Sequence, residues 1–189
     1  MGDGKGSARY GTLAKVFHWA TFLLLLGSFG IGLTMVDLPL SPRKLQVYSW
    51  HKWVGVTVFL ITILRLGWRC ASPPPPFPAS MPRWQTVAAR LSHAGLYGLL
   101  LVMPISGWVM SSALGLKTVY FGVIPLPDLV APDRALGQAL IYVHNVLGAM
   151  LATLIGIHVA AALYHHFVLG DDIARRMLPF MKPRKGNRL

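Results

Sequence analysis

Glutamate is missing from this sequence. Six aspartates are the only acidic residues, against eighteen lysines and arginines, so the chain carries +12 at neutral pH. Only 13% of its 189 residues are charged, about half the roughly 25% of an ordinary soluble domain. A water-facing surface on a single domain of this size would need far more polar residues. With 54% of the chain hydrophobic, lipid is the better solvent for much of its surface. Cysteine is nearly absent as well. The single Cys70 excludes an internal disulfide and a Cys-rich zinc site, and the lack of a Cys-x-x-Cys-His run argues against covalent c-type haem. A basic excess can signal nucleic acid, but these cations lie mainly outside the long apolar runs and no nucleic-acid motif is present. Lipid headgroups and membrane topology are the simpler cause. The lead from Met1 to Tyr10 is followed by an apolar stretch to about Val36. That is long for the core of a cleaved signal, and no clean small-x-small site closes it.

Four runs are long enough to cross a bilayer as helices, which takes about 20 residues. They cover about 13–36, 47–68, 91–114 and 136–169. A closed barrel is the other spanning solution, and it needs an alternating pattern that these runs lack. The fold expected is therefore all-α: one integral membrane four-helix bundle over residues 1–189. The fourth run exceeds what a span requires, so it tilts or projects beyond the lipid. Its Gly148 and Gly156 would admit another helix or a flat cofactor close to the backbone, or simply ease helix packing. Between the second and third runs, Ser72-Pro73-Pro74-Pro75-Pro76-Phe77-Pro78 reads as an extended polyproline link. The stretch 117–134 holds Pro125, Pro127 and Pro132 and reads as an irregular surface loop. No internal repeat is visible.

Basic residues set the orientation. Lys5, Arg9 and Lys15, then Arg65, Arg69, Arg83 and Arg90, then Arg175, Arg176, Lys182, Arg184, Lys185 and Arg188 fall on one side. Arg43, Lys44, Lys52, Lys117 and Arg134 fall on the other. The richer side is cytoplasmic, so both termini are expected there, with 37–50 and 115–134 facing out.

All seven histidines lie in or at the ends of the spans: His18, His51, His93, His144, His158, His165 and His166. Ionisable groups inside a membrane are functional suspects, although a lone neutral imidazole is as readily a hydrogen-bonded structural residue. Spacing changes the balance for some of them. Residues 144 and 158 are fourteen apart, which brings them to within about 40° of one face and separates them by about 21 Å along the axis. One helix face thus offers two imidazoles at two depths, a ladder for two haems. His51 opens the second span level with His144, and His18 lies near the same membrane side as His158. For His18 the spacing admits a second partner, His165, seven residues past His158 on nearly the same face. His93 and His166 have no such geometric argument and read as structural or headgroup-level residues. Two axial histidines leave no open iron position, which suits electron transfer.

Lys15-Val16-Phe17-His18-Trp19, Ser49-Trp50-His51-Lys52-Trp53-Val54-Gly55, Leu99 to Trp108 through Pro104-Ile105-Ser106-Gly107, Tyr142-Val143-His144-Asn145 and Gly156-Ile157-His158 through His165-His166 occur in this order on the four spans. From about Tyr10 to Pro179 the chain resembles the prokaryotic di-haem cytochrome b561 family, membrane cytochromes that include superoxide oxidases. The resemblance implies two b haems held by His18, His51, His144 and His158, and it favours His158 over His165 as the partner of His18. It implies electron exchange with ubiquinone in the bacterial inner membrane. In the superoxide oxidase branch, superoxide gives up its electron at the outer face and the haems relay it to quinone near the cytoplasmic side. His165 matches a quinone-associated position of that branch.

The residues accommodate such a reaction. Lys52, beside the proposed outer ligand, could steer an anion, as could Arg43, Lys44, Lys117 and Arg134, though each taken alone is first a solvated loop or headgroup contact. His165 could give quinone a proton, because its ordinary pKa lies near neutrality. The tryptophans read first as an interfacial belt. Two other functions fit parts of the pattern. One is a cytochrome b subunit serving a docked dehydrogenase or hydrogenase. The other is a His-lined metal transporter, against which no Asp or Glu lies within any run. A structural membrane protein with incidental histidines is the third alternative.

Overall fold

The computed structural model describes residues 9–178. Lys5, Lys182, Arg184, Lys185 and Arg188, used above for orientation, lie outside these. Four long helices follow one another: α1 (Thr12–Met35), α2 (Pro42–Ala71), α3 (Arg83–Ala113) and α4 (Arg134–Phe167), with a short α5 (Ile173–Met177) after them. All four long helices have the length and apolar composition to cross a membrane.

Helices α2 and α3 start well before the apolar runs because local chemistry, not hydropathy, sets their ends. Ser41 caps α2 by accepting from the Lys44 amide, and Pro42 fills the first turn, where its missing N–H costs nothing. Pro82 precedes α3. Asp133 caps α4 by accepting from the amides of Ala135 and Leu136. Much of the stretch 37–50, expected to face out, is therefore helical. The polyproline link is non-helical, as its residues require. The stretch 117–134 is more ordered than an irregular loop. It contains a two-residue antiparallel pairing of β1 (Val119–Tyr120) with β2 (Ile124–Pro125). Phe121 and Gly122 turn between them with positive φ. Prolines alone suggested irregularity; the turn at Phe121-Gly122 supplies the hairpin.

Each helix packs on the next: α1 on α2, α2 on α3, and α3 on α4. Helix α4 does not pack closely along α1 or α2; it meets them through side chains. Val58, Leu100 and Leu151 form the buried apolar centre, with Leu24, Phe29 and Leu96 against it. Most of the other buried side chains are small and polar. Thr21, Thr62 and Ser112 return their hydroxyl protons to carbonyls four residues earlier, so they can be buried without an orphaned donor. The outside is apolar, with Leu23, Leu33 and Phe167 widely exposed, as a lipid-facing surface requires. Gly148 lets α3 approach, since a Cβ there would lie 3.3 Å from the Met103 side chain, whereas a Cβ at Gly156 would meet nothing within 4 Å.

The hairpin closes one end of the bundle. Trp53 Nε1 donates to the Val119 carbonyl, Trp108 Nε1 to that of Pro127, and Thr57 bonds the Tyr120 hydroxyl. At the opposite, terminal end, Trp19 Nε1 donates to the Met177 carbonyl and Arg176 to that of Pro76. Three tryptophans read as belt residues are thus also anchors for the segments that close the ends.

Candidate functional site: two opposed histidine pairs

The structure brings His51 on α2 and His144 on α4 together near the hairpin end, with ring centres 6.3 Å apart. Near the terminal end it brings His18 on α1 to His158 on α4 at 6.2 Å. Two imidazoles bound to one metal from opposite sides have ring centres about 6.2 Å apart, taking about 2.0 Å per metal–nitrogen bond and about 1.1 Å from nitrogen to ring centre. Both pairs match that spacing. Helix α4, which carries one member of each, is also the helix that stands off from α1 and α2. A flat group held edge-on between helices needs such a separation.

Hydrogen bonds orient the hairpin-end rings. His51 Nδ1 lies 3.2 Å from the Ser28 carbonyl oxygen, which can only accept. Nδ1 therefore carries the proton, and Nε2 keeps a free lone pair. At His144 the partner is Ser106 Oγ, 2.9 Å away. Ser106 gives its own proton to the Met103 carbonyl at 2.7 Å, so its oxygen accepts from His144 Nδ1–H. Again Nε2 keeps a free lone pair, as in sites where a second residue fixes the tautomer of a metal-bound histidine. Each ring rests against a glycine of a neighbouring helix. A Cβ at Gly32 would lie 3.1 Å from His51, and one at Gly107 3.0 Å from His144.

The terminal-end pair is built differently. An Arg65 guanidinium nitrogen lies 3.0 Å from His18 Nδ1. Arginine only donates, so His18 Nδ1 accepts. On the other side His93 stands against His158, with ring centres 5.4 Å apart.

His93 and Arg65 were not singled out from the sequence as parts of this site, yet a simple register finds them. Each long helix contributes two positions fourteen residues apart: His18 and Gly32 on α1, His51 and Arg65 on α2, His93 and Gly107 on α3, His144 and His158 on α4. Fourteen residues return to nearly one face. Gly32 meets His51 as Arg65 meets His18, and Gly107 meets His144 as His93 meets His158. The glycines at the hairpin end are thus replaced, at the terminal end, by a guanidinium and an imidazole.

His165 is 9% exposed. It is not brought to either pair. Gly170 turns the chain with φ +64°, and Asp171 folds back so that its carboxylate lies 2.5 Å from His165 Nδ1. Asp171 also takes the Ile173 amide proton. His166 Nδ1 is buried without a hydrogen-bond partner. Lys52 Nζ donates to the carbonyls of Leu116, at 3.1 Å, and Lys117, at 3.5 Å. Its charge thereby sits where α3 ends, one residue from His51. Beside the terminal-end pair is a cavity of about 590 Å³ lined by Tyr10, Arg69, Arg90, His93, Tyr97 and the polyproline link. Burial holds the Tyr10 hydroxyl above its ordinary pKa, with the nearby Arg69 opposing the shift, so this residue stays a hydrogen-bond donor near neutral pH. Among the described residues, no group of three or more His, Cys, Asp or Glu is arranged to hold an ion.

A family model described as prokaryotic cytochrome b561 matches residues 9–180. The chain belongs to the prokaryotic cytochrome b561 family. Over 172 residues it is 34% identical to cytochrome b561 homolog 2 of Escherichia coli K12, covering 90% of this chain and 91% of that one. It is 28% identical over 179 residues to a Yersinia pestis protein named "Probable superoxide oxidase CybB", covering 90% and 96%. It is 30% identical over 182 residues to cytochrome b562 of Cereibacter sphaeroides, covering 93% and 96%. The chain is a multi-pass protein of the bacterial inner membrane, and membership of a cytochrome b family implies haem b.

Proposed function

We propose that this cytochrome b561 carries two b haems, one between His51 and His144 and one between His18 and His158, and moves electrons across the membrane between superoxide and ubiquinone. The observation that supports this most directly is the pair of ring separations, 6.3 Å and 6.2 Å, repeated at two depths of one helix. The kinship with a superoxide oxidase-named protein supports the choice of substrate. In this reading both termini are cytoplasmic and the hairpin end faces out, following the basic residues.

Each haem, when bound, would supply a one-electron carrier, held by a histidine of α4 and one of α1 or α2. The rest is the work of the chain. At the hairpin end, Lys52 and the neighbouring Lys117 place positive charge around the outer pair, which concentrates an anion there. Superoxide loses one electron and leaves as dioxygen. At the terminal end, quinone takes two electrons and two protons and becomes quinol, so two superoxides are consumed per quinone. His165 supplies the site for one of those protons. Asp171, held by the Ile173 amide, orients the imidazole.

The test uses liposomes that contain the purified protein and ubiquinone. Superoxide added outside should reduce the haem bands and form about one quinol per two superoxides. Haem bands that respond to quinol but never to superoxide would remove superoxide as donor and favour a docked redox partner instead.

A further inference from the structure

The terminal end gathers positive charge, and its described aspartates, Asp171 and Asp172, pair with His165 and Arg175. Arg65 lies within α2, a membrane-crossing helix. Arg65 and Arg69 both stack on Tyr97, at 5.2 and 5.8 Å from its ring centre, and Arg69 and Arg90 line the adjoining cavity. No Glu exists in the chain. Among the described residues, none of these three arginines has a carboxylate within ion-pair distance. A guanidinium at membrane depth requires a counter-anion, and guanidinium geometry favours carboxylate or phosphate. The hairpin-end pair has glycines where the terminal end has Arg65 and His93, so this cationic set belongs to one level only.

The His18 hydrogen bond adds a second argument. A histidine that gives its Nε2 lone pair to a metal keeps its proton on Nδ1, and a protonated Nδ1 cannot accept from Arg65. Ligation by His18 therefore frees one Arg65 N–H, with Tyr97 as its remaining side-chain partner on the chain.

We propose that Arg65, Arg69 and Arg90 form the receptor for the two carboxylates of the terminal-end haem. The inference rests on the two-haem reading above. These residues fix which way round the terminal-end haem enters, with its carboxylates toward the cavity. Their charge also favours an electron on that iron, which helps draw it toward the quinone side.

The test is a redox titration of the purified, haem-loaded protein, with bound phospholipid phosphorus measured on the same samples. In the unchanged protein the alpha band should titrate in two waves. In the Arg69→Gln/Arg90→Gln variant one wave should move to lower potential by about tenfold in its equilibrium constant, about 59 mV for one electron, or be lost. The other wave and the phosphorus content should stay as they were. The single variants, read the same way, carry the test if the double variant does not accumulate. Two unmoved waves would overturn the assignment, and so would unmoved waves with a fall in phosphorus, which would give the cavity to a lipid headgroup. A wild-type protein without two waves would instead mean that the two-haem reading had failed.

Discussion

His51 on α2 and His144 on α4 face each other with ring centres 6.3 Å apart, and each is oriented from behind by a serine on a third element: the Ser28 carbonyl for one, the Ser106 hydroxyl for the other. The proton positions these bonds impose leave both Nε2 atoms free. Replacing either histidine by alanine is expected to lower haem from about two to about one per chain, because loss of one axial ligand breaks one pair and spares the other. A pyridine haemochrome assay against protein concentration reads this directly. Retention of about two in both variants would refute the pairing.

The glycines behind these rings give a second prediction. Gly107→Val puts a Cβ 3.0 Å from His144, and Gly32→Val one 3.1 Å from His51. Either should displace its ring and weaken the hairpin-end haem while sparing the terminal-end one. Gly27→Ala meets nothing within 4 Å, so it should leave both haems in place. Haem content and the two-wave redox titration distinguish these outcomes.

Much of this architecture was legible beforehand. Four apolar runs gave four membrane helices because a bilayer leaves the backbone few other choices. The fourteen-residue step between His144 and His158 was visible because one helix carries both ends of it. Arg65 and His93 were harder. Each lies fourteen residues from its counterpart, His51 or Gly107, but on helices whose register against α1 and α4 only packing fixes. The His165–Asp171 contact was hidden for a similar reason: it depends on the positive φ of Gly170, which sends the chain back on itself after α4 ends. The hairpin at 119–125 escaped notice because three prolines spoke for irregular structure and two-residue strands leave no periodic signal.

His165 and Asp171 carry a third prediction. If they hold a proton for quinone, Asp171→Asn and His165→Gln should slow quinol formation by about 100-fold, the scale of general acid catalysis, with haem content and spectra unchanged. Stopped-flow reoxidation of the reduced protein by a soluble quinone measures the step. A loss of haem in these variants, or an unchanged rate, would remove the pair from the quinone chemistry.

Lys52 yields a fourth. Its ammonium is tied to the Leu116 and Lys117 carbonyls, which fixes its charge beside His51. Lys52→Gln should lower the second-order rate with superoxide by roughly tenfold at low salt and flatten its dependence on ionic strength. Pulse-radiolysis rates at several salt concentrations test this. An equal salt dependence in both proteins would make Lys52 a structural tie alone.

Everything above depends on two histidine pairs holding two b haems. A reduced-minus-oxidised visible spectrum of the detergent-purified protein, with haem per chain measured on the same sample, tests it most directly. A b-type spectrum and about two haems per chain are expected; a colourless protein, or one with a single haem that persists when His51 or His144 is replaced, would overturn the two-pair site.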